Sequence, residues 1–294
     1  MARGNMTPAH VVEIVTPKKY LLNGLWLGPK RSKRCIVWVH GLGSSMFSKL
    51  KIAKQSVDNK TAVLAFNNRG HDKVTYLPHK SHVYRRALRA GAAHERFTDC
   101  VDDIQGAVNF ARRQGAKEIY VAGHSTGCQK SVFWAHKKGR GVRGLVLLGP
   151  VSDYAALRLE YDKKKVARAL TYARRALRRG RAKELLPPSV WGWPWIADAQ
   201  RFMSLYSGRG PEEIFTYWDP KRNPRVLKSV RLPALVLLAG RDEFGDRPAK
   251  EIVKWFEVNN RSRDFRAMVI AGARHGFKGY ERDVARAIRR FIAR

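Results

Sequence analysis

Short, continuous apolar runs rich in β-branched residues recur along the chain. They are VVEIV at 11–15, YLLNGLWL at 20–27, CIVWVH at 35–40 and AVLAF at 62–66, then EIYVAG, GLVLLG, ALVLLAG and RAMVIAG ending near 123, 149, 240 and 272. Continuous rather than alternating runs mean strands covered on both faces. The first two, close together, read as an antiparallel opening pair. From Cys35 onward the runs alternate with helix-like segments such as 102–113, where Ile104, Ala107, Val108 and Ala111 share one helical face. Crossover helices between strands imply a mostly parallel central sheet with helices on both faces, hence an α/β fold. No sequence repeat and no flexible linker interrupts the pattern, so residues 1–294 read as a single domain.

The rhythm breaks after GLVLLGPVSD. Residues 154–231, between the strands ending near 149 and 239, are far too many for an ordinary loop and read as a helical insertion. Its first half places Val166, Ala169, Leu170, Ala173, Ala176 and Leu177 on one face and turns Arg168, Arg174, Arg175, Arg178 and Arg179 elsewhere. Its second half holds Trp191, Trp193 and Trp195 among prolines. Such an insertion over the C-terminal ends of the strands would act as a lid, and the three tryptophans are candidates for an apolar pocket wall.

Charge changes the picture of the surface more than of the fold. With 58 Lys and Arg against 24 Asp and Glu, the net charge is +34, enough for non-specific, salt-dependent binding of polyanions. A solvated basic surface accounts for the same numbers without a partner. Cys35, Cys100 and Cys128 are widely spaced and suggest neither a disulfide framework nor a zinc site. The first twenty residues lack a signal-peptide core, and no apolar run reaches membrane-spanning length, so a cytoplasmic protein is expected.

The sharpest chemical signal is GHSTG at 123–127, between the strand-like EIYVA and the helix-like QKSVFWAHK. Gly-x-Ser-x-Gly in that context makes a tight strand-to-helix turn in which Ser125 is strained and exposed. Gly123 and Gly127 are small so that neighbouring elements can approach. A serine attacking a carbonyl builds an oxyanion, which needs preorganised donors contributing about 3 kcal/mol each. In VWVHGLGSS at 37–45, Gly41 lets the backbone turn inward, and the N–H groups of Leu42 and Thr126 are the candidate donors. His275, in GARHGF past the last strand, is the candidate general base. Asp242, in LLAGRDEF past the preceding one, is the candidate orienting acid. Glu243, Asp246 and Asp153 also lie where an acid could reach the histidine, although Asp153 reads better as a cap for the first helix of the insertion. No phosphate loop, dinucleotide-binding glycine pattern or zinc spacing is present, and His79 and His82 in HKSH lack further ligands, so no cofactor or metal is expected.

Taken together, VWVHGLGSS, AFNNRGHD, GHSTG, LLAGRDEF and ARHGF resemble the α/β-hydrolase superfamily over almost the whole chain. Within it, HERFTDCVDDIQGAV, GHSTGCQKSVFW and LLGPVSD look like a group of hydrolases that includes fungal siderophore esterases. The resemblance implies the α/β-hydrolase fold and a Ser125, Asp242 and His275 triad. It further implies an oxyanion donor near Leu42 and metal-free acyl-enzyme chemistry on a small-molecule acyl substrate. It matches no member in the Arg-rich half of the insertion. The expected activity is that of a carboxylesterase-like serine hydrolase, with thioesters and lactones passing through the same tetrahedral oxyanion. Two alternatives compete: acyl transfer to an acceptor other than water, and a basic protein that uses residues 158–183 to bind nucleic acid or a membrane surface on an inherited scaffold.

Overall fold

The apolar runs become strands in the computed structural model, which describes residues 6–81, 87–192 and 194–294. The main sheet comprises β1 (His10–Val15), β2 (Leu21–Leu27), β3 (Arg34–Val39), β4 (Thr61–Phe66), β7 (Glu118–His124), β8 (Gly144–Leu148), β9 (Ala234–Ala239) and β10 (Phe265–Ile270). Their spatial order is β1-β2-β4-β3-β7-β8-β9-β10. β1 and β2 pair antiparallel, as do β2 and β4, and every later pairing is parallel. Two three-residue strands, β5 (Thr75–Leu77) and β6 (Leu88–Ala90), pair antiparallel outside this sheet. They are too short to show a period in the sequence.

The continuous runs are explained by burial on both faces. In β3, Cys35, Val37 and Val39 pack with Ile104 and Val108 of α2 (Cys100–Arg113) and Val132 of α3 (Thr126–Lys138). The alternate residues Ile36 and Trp38 pack against Ile52 of α1 (Leu50–Ser56) and Val284 and Ile288 of α9 (Glu281–Ile292). In α9 the buried residues Val284, Ala285, Ile288, Phe291 and Ile292 fall at helical spacing, with Arg286 and Arg290 exposed between them. α8 (Ala249–Asn259) covers the β9 and β10 end of the first face through Ile252 and Phe256.

Between β8 and β9 lie α4 (Asp153–Glu160), α5 (Lys163–Arg178), α6 (Ala199–Tyr206) and α7 (Arg225–Ser229). The first three have a core of their own, in which Ala169, Ala173 and Ala176 of α5 meet Trp191, Phe202 and Leu205. The alanines let α5 and α6 approach closely. The segment expected to extend to 231 returns to the body earlier, because Ile214, Phe215, Tyr217, Leu227 and Val230 belong to the first-face core beneath the sheet. Among the described residues, no helix is long and apolar enough to cross a membrane.

The insertion is registered on the body by a buried chain of alternating charge. Lys130 of α3 lies 2.6 Å from Glu95 and donates to Asn68 Oδ1 at 3.0 Å. Glu95 also pairs with Arg201 of α6 at 3.0 Å, and Arg201 pairs with Glu212 at 2.7 Å. The Lys130, Glu95 and Arg201 side chains are fully buried, and Arg201 Nε donates to the Ala92 carbonyl. Burial opposes charge on Glu95, but Lys130 and Arg201 together outweigh it and hold the carboxyl below its ordinary range. Beside this seam, Glu213 accepts hydrogen bonds from Ser152 Oγ at 2.7 Å and Trp218 Nε1 at 2.8 Å. Here burial wins over those bonds and pushes the carboxyl from 4.5 up to about 7.

Glu95→Ala leaves two cations buried without their shared carboxylate and should lower the unfolding free energy in urea by about 3–5 kcal/mol. A loss below about 1 kcal/mol would mean that the seam does not hold the insertion. For Glu213 the folded protein keeps a proton that the unfolded chain releases, so its contribution is full below pH 4.5 and is lost as pH rises through about 7. Glu213→Gln should therefore lose less stability than the parent chain between those two pH values, measured by urea unfolding across the range.

Candidate active site

Ser125 sits where β7 turns into α3, with φ 56 and ψ −129, a backbone conformation that a side chain other than glycine adopts only under constraint. The constraint comes from both sides. Ser125 N donates to the Leu148 carbonyl of β8 at 2.9 Å, and Cys128 N donates to the Ser125 carbonyl at 2.8 Å. A Cβ on Gly123 would lie 2.2 Å from the Gly127 carbonyl oxygen, and one on Gly127 would lie 2.2 Å from that of Val39. Neither position admits a side chain, which is why the turn needs its two glycines.

The loop after β3 presses on this turn: a Cβ on Gly41 would come within 2.9 Å of Ser125 Cβ. Leu42 follows directly and lines the same cavity as Ser125. Thr126 opens α3, so its N–H is among those that a helix leaves without an internal acceptor. His40, fully buried beneath this loop, donates from Nδ1 to the Gly41 carbonyl at 2.8 Å. Burial, reinforced by Lys130, lowers its pKa to about 3, so it is a neutral brace for the loop.

His275 follows β10, and its Nδ1 lies 2.9 and 3.1 Å from the two carboxylate oxygens of Asp242 after β9. That engagement leaves Nε2 as the ring nitrogen available for proton exchange. Asp242 is itself oriented by the Phe244 N–H at 3.0 Å, and Phe244 meets the His275 ring edge-on with centroids 4.8 Å apart. The other acids are assigned elsewhere. Glu243 accepts from the His275 backbone N–H at 3.0 Å, and Asp246 pairs with Arg247 at 2.9 Å. Asp153 is not the cap of α4: Ser152 is, accepting from Ala155 N at 3.1 Å. Asp153 lies one residue further on, accepts from Gln129 Nε2 at 2.9 Å and lines the cavity, where burial pushes its carboxyl well above the usual range.

The cavity at Ser125 has a volume of about 260 Å³, with His275 and Phe244 on one side and Leu157, Tyr161 and Tyr206 from the insertion on the other. Of the tryptophans, Trp195 lines it. Trp191 does not: its indole is buried in the insertion core against Tyr161 and Phe202, and its Nε1 donates to the Trp195 carbonyl. Trp193 lies outside the described residues, as does His82. His79 bonds to the Lys18 carbonyl and Ser81, and among the described residues no three His, Cys, Asp or Glu side chains gather as a metal site.

Two cavity residues have no signal in the sequence pattern. Lys49 holds a left-handed backbone at φ 60 and donates from Nζ to the Gly276 carbonyl at 2.9 Å, beside His275. His124, the last residue of β7, donates from Nε2 to the His275 carbonyl at 3.0 Å. Burial, with His275 and Lys49 adding to it, keeps His124 uncharged, so it fixes the His275 backbone without competing for protons.

No curated protein sequence matches this chain. Solved structures align along nearly its whole length at low identity. The siderophore hydrolase EstB from Aspergillus fumigatus is 15% identical with a TM-score of 0.73, covering 100% of this chain and 98% of that one. Est1E from Butyrivibrio proteoclasticus, solved with ferulic acid bound, is 16% identical with a TM-score of 0.64, covering 96% and 98%. An esterase of Pyrococcus furiosus is 18% identical with a TM-score of 0.58, covering 98% and 95%. At such identities the likeness establishes the fold. Residues 30–283 match the family described as serine aminopeptidase, S33, and the chain belongs to that family of α/β-hydrolases.

Proposed function

We propose that this hydrolase cleaves a carboxylic ester, thioester or lactone through an acyl-enzyme on Ser125. The observation that carries the reading is the strained Ser125 turn sharing one cavity with a histidine whose Nδ1 is held by Asp242. The Ser125 hydroxyl attacks the carbonyl carbon as its proton passes to His275 Nε2. The carbonyl oxygen becomes an oxyanion, which the N–H groups of Leu42 and Thr126 receive at the positive end of α3. Collapse breaks the bond to the leaving group, which takes the proton from His275. Water then attacks the acyl-enzyme by the same path in reverse, releasing the acid and restoring the serine. Asp242 fixes the tautomer of His275 and stabilises the imidazolium formed in each half-reaction.

The helices α4 to α6 act as a lid in this scheme. Leu157, Tyr161 and Tyr206 shield the acyl-enzyme, and Trp195 adds apolar wall. The carbonyl chemistry is common to esters and peptides. The ester reading is therefore separated from the peptidase activity in the family's description by comparing short p-nitrophenyl esters with aminoacyl p-nitroanilides under one set of conditions.

A fluorophosphonate probe should label Ser125, located by mass spectrometry, and labelling should vanish in Ser125→Ala and His275→Ala. Ester turnover should fall in each by about a millionfold, and by about ten-thousandfold in Asp242→Asn, where the histidine loses its tautomer control. Absence of labelling in folded parent protein would overturn the assignment.

A further inference from the structure

A second and larger hollow adjoins the reaction cavity and shares Leu157, Tyr161 and Tyr206 with it. Its volume is about 810 Å³, against about 260 Å³ at Ser125. Pockets for organic ligands of moderate size measure roughly 300–1,000 Å³, so the cavity at Ser125 lies just below that range and a longer substrate has room to extend into the hollow.

The lining of the hollow is strongly one-sided. Arg158, Lys163, Arg174, Arg209 and Arg222 face a single acid, Asp219. Among the described residues, none of the five pairs with a carboxylate. The buried cations of this protein behave otherwise: Lys130 and Arg201 share Glu95, and Arg69 meets Asp99, Asp102 and Asp103. Five like charges around one concavity repel each other, and the potential they focus there is relieved by an anion.

Two of the five are also held in place. The Tyr154 and Trp218 rings lie 4.4 Å apart, the Arg158 guanidinium sits 4.8 Å from the Tyr154 centroid, and that of Arg222 sits 5.4 Å from the Trp218 centroid. The four side chains form a ladder, arginine, tyrosine, tryptophan, arginine. Arg158 also donates to the Tyr154 hydroxyl, and Arg222 to the Gly208 carbonyl. Each bond uses one of the five guanidinium N–H groups, so most of the donors stay available on cations already placed over aromatic rings. A cation needed only for solubility has no use for such an arrangement.

We infer that this hollow is an anion-recognition subsite for the end of the substrate remote from the scissile bond, and that the substrate is an acyl ester or thioester carrying carboxylate or phosphate groups there. The inference rests on the ester-hydrolase reading for its chemistry but not for its binding. Two matched pairs of substrates test it and identify the anion: octanoyl-coenzyme A with octanoyl-N-acetylcysteamine, which differ in the phosphates of the leaving group, and mono-p-nitrophenyl glutarate with p-nitrophenyl pentanoate, which differ in a carboxylate on the acyl group. In at least one pair the anionic member should have a kcat/KM about tenfold or more above the neutral one. In Arg158→Gln/Lys163→Gln/Arg174→Gln that preference should fall at least fivefold, while the neutral members change by less than about twofold. All three substituted side chains are exposed, so the fold tolerates their loss. Equal rates within both pairs, or a preference that survives the triple substitution, would overturn the inference. Calorimetric titration of Ser125→Ala with coenzyme A and with glutarate reads the subsite without turnover. Salt-sensitive binding of either, lost in the triple variant, supports the subsite even if no ester is cleaved, and absence of binding by both sinks it.

Discussion

Lys130, Glu95, Arg201 and Glu212 form a line of alternating charge that begins on the helix following Ser125 and ends in the insertion. Because Lys130 is five residues from the serine on α3, the seam ties the position of α6 to the helix that presents the nucleophile. Apolar contacts tolerate sliding, whereas buried charges have one satisfactory register and leave unpaired ions in any other. The walls supplied by Leu157, Tyr161 and Tyr206 are thus fixed relative to Ser125 by electrostatics deep in the molecule rather than by the loops that visibly connect the parts. Asp198 extends the arrangement, accepting from the Arg201 backbone N–H and pairing with His94 next to Glu95.

The site itself is held by close backbone packing. The positive φ of Ser125 persists because β8 accepts its N–H and because Gly123 and Gly127 bring α3 against the strand ends. His275 is restrained from three directions: by Asp242 at the ring, by Glu243 at its N–H and by His124 at its carbonyl. His40 and His124, two further imidazoles near the serine turn, are kept neutral by burial, so neither competes with His275 for Asp242.

Much of this was legible in the sequence because its signals are local. A buried strand reads as an apolar run, and a serine between glycines at a strand-to-helix turn reads as an elbow. A histidine after the last strand stands out for the same reason. What was illegible depended on contacts between distant residues. Asp242 and its neighbours Glu243 and Asp246 share a loop, and only the three-dimensional path separates the ring partner from the backbone partner. Ser152 and Asp153 are equally good caps by composition, and their roles differ because one faces its own helix and the other faces Gln129. Trp191 and Trp195 stand among the same prolines, yet one fills the insertion core and the other reaches the cavity. Glu95 and Arg201 are separated by 106 positions, and no periodicity announces that pairing.

The ionic nature of the seam bears on how the protein responds to heat. The hydration of charged groups becomes less favourable as temperature rises, so the cost of keeping Lys130, Glu95 and Arg201 out of water diminishes on warming. Hydrophobic stabilisation gains no comparable advantage per unit area over the same range. The joint between insertion and body accordingly loses less on warming than a purely apolar joint would, which favours keeping the covering of the active site in register as temperature rises.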